Sequence, residues 1–193
     1  WRGFPLRARL MDLLGLRVAG DNDAKALALA EGWGGAAIGY RNYMAMVVST
    51  GVGGGLVIDG QLLNGDAGNA GHIGHIIVDP EGTRCACGNR GCLEAMTSGP
   101  AITRQLGHPV EDAPVEVRRR TGQLVGRAVA SVVNLLDIPL TVVAGSVALG
   151  FGEVFFDAAQ AELSEHCGLE FTHGAKIIPA GLGPDGPLVG AAA

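Results

Sequence analysis

Three cysteines fall within eight residues, at Cys85, Cys87 and Cys92 in the stretch CACGNRGCLE, and a fold that accommodates them must bring three thiols to one point. Gly88 and Gly91 supply the tight turns that such convergence needs. Cysteines packed as small hydrophobes would sit among apolar neighbours, whereas glycine and charge interleave these. A C-x-C-x4-C array joined by one imidazole is a closed Cys3His set for a structural zinc ion. His72 and His75 both lie upstream. On a helix they would share a face and in an extended segment they would point apart, so the choice of fourth ligand stays open, with His75 favoured. The predicted metal set is His75, Cys85, Cys87 and Cys92. Such a knot would hold its segment rigidly and aim two groups into a pocket: Glu94, two residues beyond the last thiolate, and the second ring nitrogen of His75. Cys167, after a helical stretch, is expected to be an ordinary packed residue.

Composition narrows the function classes. A chain of 193 residues buries roughly 70% of its unfolded surface and needs no disulfides for a core. Hydrophobic residues make up 48% and charged residues 17%, with no apolar run near the ~20 residues of a membrane span. The net charge of −5 argues against nucleic-acid binding through this chain. Its single basic cluster, Arg118 to Arg120, reads as a solvated helix face. The cysteines are read as those of a reducing cytosol, which predicts a cytoplasmic protein. The chain opens on WRGFPLRARL without an initiator Met and is expected to be part of a longer protein.

Periodicity predicts an α/β fold. Apolar spacing gives a helix over 5–14, a short strand over 16–19, and a helix over 24–32 capped by Asp21, Asn22 and Asp23. Residues 44–49 read as a buried strand, STGVGGG as a glycine turn, 55–58 as the partner strand and Asp59-Gly60 as the next turn. Further on come a helix over 123–136, a strand over 140–144 ending in Gly145-Ser146, a helix over 152–166 and a strand over 175–179 before a loop. This alternation predicts a parallel or mixed sheet covered by helices. Successive N–H groups of the glycine turn, with the Ser49 and Thr50 hydroxyls, could cradle phosphate oxygens, although the stretch matches neither a P-loop nor a dinucleotide fingerprint. A carboxylate among Asp21 to Asp23, at the mouth of a strand, could take a proton from a hydroxyl, with Asn22 holding a neighbouring one.

In this order the constellations resemble the ROK family (repressor, open reading frame, kinase) of sugar kinases and sugar-responsive repressors. The residues that carry the resemblance are Asn22-Asp23 with Ala24, Ala26 and Glu31, the turn 49–55, Gly74-His75, and above all CACGNRGCLE. The resemblance implies an actin-like, ribonuclease-H-like kinase fold of two lobes, with residues 1–23 ending the N-terminal lobe and 24–193 forming the larger lobe with its zinc knot at 75–92. It implies Asp23 as catalytic base, and Asn22, Glu94 and His75 as sugar ligands, His75 being shared with zinc. Ser49, Thr50, Gly51, Gly53 and Gly54 would then hold the phosphates of ATP with Mg2+, while Gly145 and Ser146 approach the adenosine. A homo-oligomer, dimer or tetramer, is implied as well.

Two departures qualify the resemblance. Family kinases carry a sugar-binding Glu in a G-E-x-G-H motif where this chain reads GHIGH, placing His72 at that sugar-ligand position. The upstream half-lobe with its D-G-G-T-like turn is also missing from these residues, as is the helix-turn-helix that precedes it in the repressors. An ATP-dependent kinase of hexoses or amino-hexoses is the favoured reading, and the sugar-sensing domain of a repressor the alternative.

Overall fold

The computed structural model describes residues 3–192. The first half contains α1 (Leu6–Leu14), α2 (Asp23–Gly34), β1 (Tyr43–Val48), β2 (Val52–Ile58), β3 (Gln61–Leu62), α3 (Leu93–Thr97) and α4 (Gly99–Leu106). The second half contains α5 (Val115–Leu136), β4 (Leu140–Ala144), α6 (Ser146–Phe151), α7 (Glu153–His166), β5 (Lys176–Pro179) and α8 (Gly186–Ala192). The five strands form one mixed sheet in the order β3-β2-β1-β4-β5. β1 pairs antiparallel with β2 and parallel with β4, and β4 pairs parallel with β5. The mixed, helix-covered sheet expected from the alternation is therefore present.

β1 shows why the sheet sits in the middle of three layers. Met44, Met46 and Val48 point into one apolar cluster with Val129 of α5 and Phe155 of α7, while Tyr43 and Ala45 join Leu27 and Ala28 of α2 on the other face. A period of two with both sets apolar is the pattern of a strand covered on both sides. α8 closes the α2 side. Cys167 is buried in the larger cluster, as its sequence context suggested.

Several elements depart from expectation. Residues 16–19 form no strand, and they pair with no β-strand among the described residues. The glycine turn is shorter than read: β2 begins at Val52 rather than Gly55, so Gly53 and Gly54 are strand residues too, and none of the glycines from 51 to 55 has positive φ. Their reason is close approach. A Cβ on Gly55 would stand 2.7 Å from Ala28 Cβ and 2.8 Å from the Ala24 carbonyl, so the bare backbone lets α2 lie directly on β2. α5 starts eight residues earlier than predicted, the short helices α3, α4 and α6 stand where no element was predicted, and α8 begins within the loop expected after 179. Arg118 is not simply a solvated residue: its Nε donates to the Ala113 carbonyl at 2.8 Å and its guanidinium lies 5.5 Å from the Phe151 ring centre. No helix among the described residues is long and apolar enough to cross a membrane.

Candidate active site and metal centre

The N-terminus of α2 presents two of the predicted residues. Asn22 is the N-cap, its Oδ1 accepting the Ala24 N–H at 2.9 Å, and Asp23 Oδ1 accepts the same N–H at 2.8 Å. Capping of this kind satisfies a helix-end donor that has no partner within the helix. Asp23 Oδ2 accepts no protein hydrogen bond among the described residues, and both side chains are exposed. They stand at the edge of a cavity of about 420 Å³ whose walls also include Thr50, Gly51, His72, His75 and Glu94.

The turn between β1 and β2 forms the floor. Ser49 N–H donates to the Gly51 carbonyl at 2.9 Å, and the Gly99 N–H donates to the Ser49 carbonyl at 2.8 Å. Glu94 Oε2 accepts the Val52 N–H at 2.9 Å, which ties the carboxylate to the turn. The Gly54 N–H is committed to the Gly71 carbonyl at 2.8 Å. On its far side Ser49 Oγ lies 2.9 Å from Ser146 Oγ. There a second cavity, of about 330 Å³ and mostly apolar, opens between Ser49, Gly145, Ser146, Gly183, Pro184 and Pro187. Gly145 has φ 102° and a Cβ there would strike the Val48 carbonyl, so only glycine lets β4 turn into α6 at this point. The two cavities share Val47 and Ser49 as a common wall.

The cysteine stretch folds as its spacing required. Gly88 and Gly91 take φ of 100° and 73°, Cys85 N–H donates to the Asn89 carbonyl at 2.8 Å, and Gly91 N–H donates to the Thr83 carbonyl at 2.9 Å. One donor atom from each of His75, Cys85, Cys87 and Cys92 lies within 4.8 Å of every other. Cys85 Sγ is 3.7 Å from His75 Nδ1, and Cys87 Sγ is 3.6 Å from Cys92 Sγ. A tetrahedron with Zn–S bonds of ~2.3 Å has edges of about 3.8 Å, so the donor set matches a zinc ion in size and in chemistry. All four cysteines are free thiols. Burial, with hydrogen bonds and charge from Cys87 and Cys85, pushes the Cys92 thiol up to about 12. The backbone N–H at Asn89 pulls the Cys87 thiol below its ordinary value.

His72 and His75 bracket a single 3-10 turn, Ile73–His75, with ring centres 6.1 Å apart. His75 turns Nδ1 toward the thiols, which leaves Nε2 as its remaining polar atom, and His72 lines the cavity outside the cysteine cluster. Sequence reasoning missed Lys25. Buried on α2, its ammonium lies 3.3 Å from Asp21 Oδ1 and donates to Asn64 Oδ1 at 2.9 Å and to the Gly68 carbonyl at 2.8 Å, holding the loop that leads to His72. The signal was a lone lysine inside the apolar run AKALALA.

Comparison with known proteins bears on this arrangement. The chain is 30% identical to a glucokinase of Thermotoga maritima over 222 aligned positions, covering all of this chain and 70% of the relative. It is 40% identical to an N-acetylmannosamine kinase of Citrobacter koseri over 77% of this chain and 56% of the relative. Among solved structures, a ROK family glucokinase from Streptomyces griseus in complex with glucose and AMPPNP superposes with TM-score 0.86 at 30% identity, covering all of this chain and 72% of that one. A ROK family transcriptional regulator homologous to the E. coli MLC protein superposes equally, TM-score 0.86, at 29% identity over 97% of this chain and 54% of that one. The fold is thus that of the actin-like ROK kinases. The sequence profile of the ROK family matches residues 1–193, and this chain belongs to the ROK family.

Proposed function

We propose that this protein is an ATP-dependent sugar kinase that phosphorylates a hexose or amino-hexose. The observation that carries the proposal is the pair of adjoining cavities. One gathers Asn22, Asp23, His75 and Glu94, the other is apolar and lies between Gly145-Ser146 and Pro184, and Ser49 stands between them. Two substrates seated in them would meet at the β1–β2 turn, as transfer from a nucleotide to a sugar hydroxyl requires. The glucokinase structure with glucose and AMPPNP supports the same pairing.

In this reading Asp23 takes the proton of the sugar hydroxyl as its oxygen attacks the terminal phosphorus of ATP, and the bond to the bridging oxygen breaks. Asn22, Glu94 and His75 Nε2 hold the neighbouring hydroxyls and set the angle of attack. His72 adds a ring nitrogen on the same wall. Ser49, Thr50 and Gly51 approach the phosphates, with Gly53 beside them in β2. Mg2+, when bound with the nucleotide, shields phosphate charge. A zinc ion held by His75, Cys85, Cys87 and Cys92 supplies rigidity, keeping Glu94 and His75 aimed at the sugar. Free thiols in such a cluster fit a reducing, cytosolic setting.

The test is phosphoryl transfer from ATP across a panel of hexoses and amino-hexoses with the full-length protein. Transfer to one or more of them supports the kinase. Tight sugar binding with no transfer to any would favour the second reading, a sugar-sensing domain of a transcriptional regulator. That reading is supported by the similarity to the MLC homologue and by imidazole at position 72.

A further inference from the structure

Glu31 has no part in the chemistry above, yet it is a fully buried carboxylate. It lies eight residues along α2 from Asp23, about 12 Å down the helix axis. Oε2 accepts the N–H groups of Ala36 at 2.7 Å and Gly181 at 3.1 Å, and Oε1 accepts the Leu182 N–H at 3.1 Å. Burying an anion is costly unless donors surround it, and here backbone donors from two distant segments do so. The two backbones nearly touch at this point: a Cβ on Gly181 would stand 2.9 Å from the Ala36 nitrogen. With so little room, two acceptor oxygens on one planar group can serve all three N–H donors at once.

Immediately after Leu182 come Gly183, Pro184 and Pro187, which form one wall of the apolar cavity beside Ser146. Gly186 and Gly190 then pack on Leu27 and Ala26, again on α2. One helix therefore presents Asn22 and Asp23 to the first cavity and grips the wall of the second.

Resting on the kinase reading, we propose that Glu31 is the positioning residue of the nucleotide site, fixing the 181–187 segment at the distance from Ser146 that a nucleotide needs. Glu31→Gln preserves shape but replaces one acceptor oxygen by an NH2 group that confronts a backbone N–H. The segment then loosens while Asn22, Asp23 and Glu94 keep their surroundings.

The experiment is calorimetric binding of AMPPNP, and separately of the best-bound sugar of the hexose panel, to the full-length parent and to Glu31→Gln. We expect AMPPNP affinity to fall about tenfold or more, the scale of one lost charge-assisted hydrogen bond, with sugar affinity within roughly twofold. Unchanged AMPPNP affinity overturns the inference alone, and equal losses for both ligands reduce Glu31 to a general structural role and overturn it too. No AMPPNP binding by the parent overturns the kinase reading together with it. Should the variant not fold, hydrogen exchange on the parent decides. Protected Gly181 and Leu182 amides support the inference, and exchange as fast as in an exposed loop overturns it.

Discussion

At the scale of the residue, the cavity is built from side chains whose backbone positions are settled by ordinary capping and turn rules. Asp23 sits where a helix N-terminus would hold a carboxylate in any protein. Its proposed role is separable from that position, because Asp23→Asn keeps size and one capping oxygen while removing the proton acceptor. We expect turnover to drop roughly 100-fold or more with sugar affinity changing far less, read from steady-state kinetics and direct binding. Undiminished turnover would take Asp23 out of the mechanism. His72 offers a different test. A neutral imidazole accepts one hydrogen bond, whereas a carboxylate accepts several, so His72→Glu adds acceptors for sugar hydroxyls to the cavity wall. Lower sugar KM or higher turnover is expected, and identical constants would show that His72 does not meet the sugar. Asn22, Asp23, Glu94 and the four donors of the cysteine cluster were all legible as residue types at telling spacings. Lys25 and the grip of Glu31 were not, because Asn64, Gly68, Gly181 and Leu182, which they hold, lie 39 to 151 residues away and no local pattern announces them.

At the scale of the element, the glycines of β2 are the instructive case. Read locally, STGVGGG is a flexible turn, and glycine does favour turns. In the fold, three of those glycines are extended: Gly55 serves the close contact between β2 and α2, while Gly54 lies against the Gly71 carbonyl and Ile73, demands that arise only once the neighbouring segments have been laid on the strand. Gly55→Ala should therefore destabilise the protein by roughly 1–3 kcal/mol through overpacking against Ala24 and Ala28, measured by urea or thermal unfolding. Stability equal to the parent would mean that α2 can shift outward at little cost. Strand β4 and helix α7 were found within a residue of their sequence-read bounds, because each has a clean apolar period and a glycine at one end.

At the scale of the whole molecule, the 75–92 segment joins the cavity beside Asp23 to the rest of the fold. Its contacts run both ways: Leu93 N–H donates to the Ile76 carbonyl at 2.9 Å, and Arg127 of α5 reaches across to the Val78 carbonyl at 3.2 Å while its Nη2 pairs with Glu162 of α7 at 2.7 Å. The purified protein should hold about one zinc per chain. The double variant Cys87→Ser, Cys92→Ser should hold none, and unchanged content by elemental analysis would refute the centre. Because the metal-free Cys92 thiol is pushed up to about 12, zinc must displace a proton there, so apparent zinc affinity should weaken as pH falls. Removing zinc with a chelator should lower the melting temperature and raise sugar KM while leaving AMPPNP binding largely intact. The second cavity is built on β4, α6 and the segment leading into α8, away from the cysteines. Loss of nucleotide and sugar binding in parallel would instead mark the zinc segment as a support of the entire fold.

The sequence by itself determined the chemistry of this protein: which thiols gather, which carboxylates cap or face a cavity, and the alternation of strand and helix. Those features depend on neighbours within about twenty residues, on spacing, turn residues and apolar period. Tertiary structure alone decided that two cavities meet at Ser49 and that Glu31 ties α2 to the wall formed by residues 181–187. The physical reason is that each of these is a contact between segments far apart in the chain. Their geometry follows from how helices pack on a sheet, a matter of volume and close approach that no local run of residues encodes.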